Sequence, residues 1–286
     1  MQDAFAYCAE LVREADRDRF LSSLFAPAEH RGALHALYAF NVEVTRVREA
    51  AREPLPGEIR LQWWTDVLGG ERREEATANP VAAALLATIA QHRLAAGALL
   101  DLIEAHRFDL YDEPMTDIAA LETYAKHTSS ALFAAAGQIL AGEILGGQIL
   151  GSDLGEAVTD PAGVAEAVTH LLQSLPIHAA RNQLYVPLDI LDRHEVTPNQ
   201  VLAGQSTAGL KAALGELRTL ARNRLAAVRV PLLPREALPA FLPLALVRPS
   251  LDRLERGDAF ASAALSPWRR QWLIWRASRN PARIAG

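Results

Sequence analysis

The chain has 286 residues, 50% apolar and 22% charged, with a net charge of −5 and a mean hydropathy of +0.03. That balance supports a sizeable buried core and excludes both disorder and low complexity. An acidic chain argues against nucleic acid as a partner, because phosphate asks for a basic face. The single Cys8 forms no internal disulfide, and no Cys/His cluster has zinc-ligand spacing, which fits a reducing, cytoplasmic compartment.

The first twenty residues mix both charges and are already amphipathic, unlike a signal peptide or an acid-poor transit peptide. Apolar periodicity predicts helices over roughly 3–24, 28–51, 57–69, 80–95, 97–111, 117–146, 161–175, 188–203, 209–230, 235–255 and 266–279. In the 28–51 helix, Ala33, Leu37, Phe40, Val44, Val47 and Ala51 form one apolar stripe, with Pro27 suited to its start and Pro54 closing it. The 161–175 helix has Val164, Val168, Leu171 and Leu175, and the 209–230 helix Leu214, Leu217, Ala221, Leu225 and Val228.

Between these, the 128–152 stretch carries one charge, Glu143, but also five glycines, and reads as a buried helix of small residues rather than a membrane span. Only Gln183–Val186 hints at extended backbone. The stretches 69–80 and 146–161 read as loops inside a single domain covering 1–286. The expected fold class is all-α.

Beside the stripe of the 28–51 helix runs a polar row of Tyr38, Asn41, Thr45 and Glu49. The 161–178 segment has a matching row of Ala167, His170, Ser174 and His178, with Pro176 breaking the helix just before His178. Either row can line a cavity or lie at a solvated boundary. A metal site built from His170, His178 and Glu49 is disfavoured, because Pro176 spoils the spacing it needs. Cys8 reads as a core or boundary thiol. Gln62-Trp63-Trp64 with Asp66 reads as a packed helix with one indole at its rim. Asp101, Glu104, Asp109, Asp112 and Glu113 read as a solvated acidic face. No nucleophile elbow, dinucleotide loop, phosphate loop or zinc-protease motif occurs.

Ala36-Leu37-Tyr38-Ala39-Phe40, the polar row after it and Leu61-Gln62-Trp63-Trp64 resemble blocks of the squalene/phytoene synthase family. Arg181-Asn182-Gln183-Leu184-Tyr185-Val186-Pro187 is similar to that family's R-x-x-x-Y-x-P segment. The resemblance implies the isoprenoid synthase fold, a helical bundle around a deep central cavity. It also implies two D-x-x-x-D motifs, whose paired carboxylates hold Mg²⁺ against a diphosphate. In register with the family, Thr45 and Glu49 stand at the first pair and Ser174 and His178 at the second, with Arg46 where an acid often follows. A lone Glu supplies too little charge for that chemistry, so no cofactor is expected, and Mg²⁺ only if prenyl transfer persists.

Further blocks narrow the resemblance: Tyr7-Cys8-x-Glu10-Leu11-Val12-Arg13, Ala39-Phe40-Asn41-Val42-Glu43, Pro187-x-Asp189-Ile190 and the terminal Trp-Arg segment. These look like the branch of the family that lacks complete aspartate motifs and serves in assembly of respiratory complex I (NADH dehydrogenase). The similarity runs from near residue 5 to about 276, and with no mitochondrial leader a bacterial member is expected. It implies a non-catalytic assembly factor whose partners are complex I subunits or other assembly factors. Two alternatives stand beside it: an atypical prenyl-diphosphate transferase binding phosphate through Arg46, Arg48 or Arg181, and an isoprenoid- or lipid-binding pocket protein. The candidate cavity residues are Tyr38, Asn41, Glu43, Thr45, Glu49, His170, Ser174, His178, Arg181 and Tyr185.

The C-terminal segment places Trp268, Trp272 and Trp275 on one helix face, among Arg269, Arg270, Arg276, Arg279 and Arg283. Two readings follow. The indoles close the helical core, or they form a basic interfacial helix that makes a peripheral contact with an anionic membrane, on the cytoplasmic face of the inner membrane.

Overall fold

A computed structural model describes residues 1–50, 53–142 and 155–285, with backbone only for 49, 50, 155 and 156. The helix expected over 3–24 is two helices, α1 (Gln2–Ala15) and α2 (Arg17–Ser23). Asp16 separates them at φ −134° and ψ 72°, and its carboxylate accepts the Arg19 N–H at 3.1 Å. That bond caps α2, so a local side chain overrides the apolar periodicity. α1 buries Cys8 and Val12 against α3 (Ala28–Thr45), which starts after Pro27 and breaks at Arg46 before a further helical turn at Val47–Ala50; Ala51, the end of the expected stripe, lies outside the described residues. The predicted stripe of Ala33, Leu37, Phe40 and Val44 is buried, and so are Leu34, Ala36 and Ala39, which makes α3 a central helix. Burial pushes the Cys8 thiol up to about 12, so it packs as an inert apolar group.

α4 (Pro54–Gly69) ends where Gly70 takes the left-handed conformation at φ 85°. Its Trp64 is buried edge-on to Phe40 with centroids 5.0 Å apart, while Trp63 sits at the rim and donates to Glu75 at 2.9 Å. The stretch expected as a loop over 69–80 contains a short helix, Arg73–Ala78; Asn79 then caps α5 (Pro80–His92), which packs on α1 and α3, and α6 (Ala96–Arg107) follows. α7 (Ile118–Ala125) passes through a π-turn at Lys126–Ser130 into α8 (Ala131–Ala141), whose residues are all buried. The rest of the expected 117–146 helix, with Glu143, and residues 146–154 of the expected 146–161 loop lie outside the described residues; the described part of that loop is instead a π-helical turn, Gly155–Thr159, that runs into the next helix. Among the described residues no helix is long and apolar enough to cross a membrane.

α9 (Asp160–Gln173) crosses the π-turn at Gly163, where an added Cβ would lie 2.1 Å from Ser130 Oγ and 2.3 Å from its backbone nitrogen. Only glycine permits that approach. The chain breaks at Ser174 and resumes as α10 (Leu175–Ala180), with Pro176 in the first turn, where its missing N–H costs no helical bond. Residues 183–187, with a bend at Val186, form no regular element and lie beside Met115, whose N–H donates to Leu184 O and whose carbonyl accepts from Leu188 N–H, both at 3.0 Å. α11 (Leu188–Arg193) is shorter than the predicted 188–203 helix. Glu195 turns left-handed at φ 56°, and a Thr197/Gln200 capping box starts a new turn. α12 (Ala208–Ala227) packs along α9. The predicted 235–255 helix is only partly realised: Pro239 and Pro243 remove donors, short turns fill 235–246, and α13 (Val247–Arg256) follows. α14 (Pro267–Arg279) is followed by one 3₁₀ turn, Pro281–Arg283. Among the described residues there is no strand, and one contiguous apolar core runs from Cys8 to Ile284.

The Gly163 contact yields a direct stability test. Gly163→Ala is expected to destabilise by about 1–3 kcal/mol, because the methyl meets Ser130 backbone that cannot swing away. Gly97→Ala, which meets nothing within 4 Å, is expected to be neutral or slightly stabilising. Urea unfolding of both variants checks the difference.

Candidate functional site

Several helices end at one place. α1 stops at Ala15, α3 at Thr45 and α9 at Gln173, and residues at all three ends line a cavity of about 610 Å³. Its apolar wall includes Leu132, Leu171, Pro243, Leu246 and Leu265. Its polar wall is dense in charge and strongly paired. Arg19 donates to Asp16 Oδ2 at 2.7 Å and to Glu166 Oε1 at 2.6 Å, and all three side chains are less than 20% exposed. Burial alone would lower the Arg19 pKa, but Glu166 and Asp16 outweigh it and hold the guanidinium charged. Arg270 from α14 forms a fork with Asp18, donating Nε to Oδ1 at 2.8 Å. Burial pushes the Asp18 carboxyl up even so.

A second polar knot forms around Asp109. Its carboxylate accepts from Tyr185 OH at 2.6 Å and from Tyr124 OH at 3.1 Å, and lies 2.6 Å from His106 Nδ1. The burial of both phenols and the facing Asp109 charge hold Tyr124 and Tyr185 above the usual phenol range, so they act as neutral donors. Gln183 Nε2 donates to the Asp109 carbonyl at 2.8 Å, which ties the 183–187 segment to this knot. Arg48 bridges outward to Leu110 O at 3.0 Å and Asp112 Oδ1 at 2.8 Å.

Of the residues expected from sequence, Asn41, Thr45, His170, Ser174, His178, Arg181 and Tyr185 line the cavity, as do Arg46 and Arg48. Two do not. Tyr38 is buried under the Arg19 guanidinium, 5.8 Å from its ring centroid, and Glu43 lies on another face of α3, paired with Arg60. The side chain of Glu49 lies outside the described residues. Asp109 was expected on a solvated acidic face; the structure places it inside the knot instead, because two tyrosines and a histidine converge on it. Asp16, Arg19 and Glu166 escaped the sequence reading, although Glu166 lies four residues before His170 on the same face. Break and row together would have found them.

Two of the donors in register with the family's metal positions, Thr45 and His178, are poor partners for a hard cation; the side chain of Glu49, the one carboxylate there, lies outside the described residues. Thr45 Oγ1 turns back and donates to Asn41 O at 2.9 Å, and His178 packs on Tyr185 with centroids 4.6 Å apart. Burial pushes His178 down to about 4, helped by neighbouring His170, and burial lowers His170 as well, although its ring opens onto the cavity. Both imidazoles are neutral at pH 7.

Two outcomes are expected. Arg19→Leu leaves two carboxylates uncompensated and costs about 3 kcal/mol in urea unfolding, most of which returns when Asp16→Asn and Glu166→Gln are added. The second concerns pH. An unfolded histidine protonates near 6.5 and folded His178 only near about 4, so stability falls as pH drops from about 6.5 toward 4. His178→Phe should flatten that slope in thermal unfolding, and a histidine titration by NMR should find no protonation of His178 above pH 5.

Comparison with known proteins completes the site. The curated relatives include "NADH dehydrogenase (ubiquinone) complex I, assembly factor 6" of Rattus norvegicus, 30% identical over 90% of this chain and 75% of the relative. The protein of the same name from Homo sapiens is 29% identical over 88% and 74%. A phytoene synthase of Arthrospira platensis is 23% identical over 95% and 91%. Among solved structures, a dehydrosqualene synthase bound to a ligand superposes with a TM-score of 0.81 at 16% identity, covering 98% of this chain and 97% of that one. Squalene synthase HpnC from Alicyclobacillus acidocaldarius gives a TM-score of 0.65 at 21% identity, covering 98% and 95%. Both share the isoprenoid synthase fold, and the sequence profile described as squalene/phytoene synthase matches residues 12–276. With that match across most of its length, the chain belongs to the squalene/phytoene synthase family.

Proposed function

We propose that this protein is an assembly factor for respiratory complex I that uses the synthase fold as a scaffold and performs no Mg²⁺-dependent diphosphate chemistry. The observation that carries the proposal is the pairing of two facts. Relatives named as complex I assembly factor 6 align over 88–90% of the chain at 29–30% identity. The donors at the family's metal positions include Thr45, Ser174 and His178. Mg²⁺ asks for an octahedron of oxygens, largely carboxylate and water, and a back-bonded hydroxyl with a buried imidazole does not supply it. The two carboxylates of Asp16 and Glu166 are already neutralised by Arg19. The partners are complex I subunits or other assembly factors, and the place of action is the cytoplasmic side of the inner membrane, by peripheral contact.

The cavity supports a second element of this reading. At about 610 Å³, with an apolar wall and a polar end, it suits an amphiphile such as an isoprenoid or a lipid. The same cavity, with the phytoene synthase similarity, favours as the alternative a prenyl-diphosphate transferase held by arginines without metal.

The experiments separate these readings. A tagged copy purified from its own cells is expected to retrieve complex I subunits, and purified protein with Mg²⁺ and farnesyl or geranylgeranyl diphosphate is expected to release no diphosphate above a protein-free blank. Subunits absent from the pull-down together with steady turnover would assign the transferase. Organic extraction and mass spectrometry of the purified protein test for the amphiphile.

A further inference from the structure

Trp268, Trp272 and Trp275 are 82%, 49% and 52% exposed, and at 100° per residue they fall within an arc of about 60° on α14. The reading in which they close the core does not hold. The opposite side of α14 does that work, burying Ile274 and Ala277, while Arg270 forks onto Asp18 of α2. A docked helix therefore aims three indoles outward. Arg269, Arg276 and Arg279 stand beside or among them, and the Arg276 guanidinium lies 4.8 Å from the Trp272 ring centroid. Arg283 follows on the next turn. Among the described residues none of these four arginines forms an ion pair. The last carboxylate side chain of the sequence is Asp258, so an acidic chain ends in 28 residues that carry five arginines and no acid.

We infer that α14 is an interfacial helix that seats the protein on anionic phospholipid, with its indoles at the headgroup boundary and its guanidiniums on the phosphates. Charge decides the occupant. A face of one sign matches an extended negative surface, whereas the rim of a protein interface is polar and mixed. A second copy of the chain is disfavoured, because pairing two such faces brings arginines against arginines. The inner side of α14 contributes Arg270 to the cavity, so the seated helix is also part of the cavity wall. The inference rests on the peripheral-membrane part of the proposed function and not on the complex I partner, so the pull-down and the vesicle assay fail independently.

The test uses the full chain with vesicles of phosphatidylcholine alone or mixed with phosphatidylglycerol. Flotation is expected with the anionic vesicles only. Raising salt from about 0.1 M to about 1 M, which shrinks the Debye length from about 10 Å to about 3 Å, should release it. Replacing Trp268, Trp272 and Trp275 by Ala should weaken binding at least about tenfold with circular dichroism unchanged, because these side chains point away from the core. Arg269→Gln with Arg279→Gln should cost about 25-fold, at about fivefold per basic residue, with Arg270 left in place to hold the helix. Brominated phosphatidylcholine in the anionic vesicles should quench the tryptophan emission of the unaltered protein, which needs no variant to fold. Equal binding to both vesicles, binding to neither, or binding that survives loss of the three indoles would overturn the inference. So would self-association in solution that disappears in the tryptophan variant, since it would give the face to a second copy.

Discussion

The Arg19 guanidinium, held between Asp16 and Glu166, joins two chain segments 147 residues apart. Much of the cavity's arrangement depends on it. Asp16 can serve Arg19 only because it stands at a helix break, where its carboxylate also caps α2 through the Arg19 N–H. Glu166 can reach Arg19 only because α9 presents the Glu166–His170 side to the cavity. Three charges less than 20% exposed are tolerable when paired and costly when any one is removed, so the triad commits the cavity wall to a fixed charge state. An anion entering the cavity must compete with two carboxylates already bonded to this cation.

Helix ends add to the electrostatics of the arginine-rich cavity. α1, α3 and α9 all bring their C-terminal ends to it, and C-terminal ends carry partial negative charge with unpaired carbonyls. Arg19, Arg46, Arg48, Arg181 and Arg270 surround that concentration of negative dipole ends and carboxylates. Burial lowers both His170 and His178 and nearby cations add to it, while Glu166 pulls His170 the other way. Much of the polar half of the cavity is paired within the protein, and its apolar wall is left open to a guest.

The apolar part of this architecture was legible in the sequence because burial leaves a periodic trace. The described part of the α3 stripe, Val164 and Val168 on α9 and the stripe on α12 are core in the structure, whereas Leu171 faces the cavity; Trp64 packs on Phe40 while Trp63 finds an acceptor at the rim. What escaped were events decided by single side chains. The Asp16 cap splits an apparently continuous helix, a positive-φ residue at Glu195 cuts another, and two prolines convert most of a third into short turns. The cavity was legible in part: the rows through Asn41 and Thr45 and through His170, Ser174 and His178 do line it. Tyr38 did not, because Arg19 reaches across its ring, and Asp109 hid among solvated neighbours because charge alone does not tell a salt-exposed carboxylate from one that three donors surround. Pairings between distant segments leave no periodic trace. The register of the family's motifs supplied the comparison that periodicity could not.

Fold and chemistry place separate demands on this chain, and their separation lets one change while the other stays. Gly163 against Ser130, Trp64 against Phe40 and the buried face of α3 are packing constraints, insensitive to what occupies the cavity. Thr45 is exposed to the cavity and bonded only to its own helix, so a carboxylate or a hydroxyl there leaves the core untouched. Ser174 stands at a break whose geometry belongs to the backbone around Pro176 rather than to a metal. A helical frame of this kind can therefore exchange its ligand-binding residues without losing its packing, which is how a 16% identical dehydrosqualene synthase can superpose across 98% of the chain. By the same logic the outward face of α14 is free of the core. Its indoles and arginines answer to what lies outside the protein, and its buried Ile274 and Ala277 only hold them there.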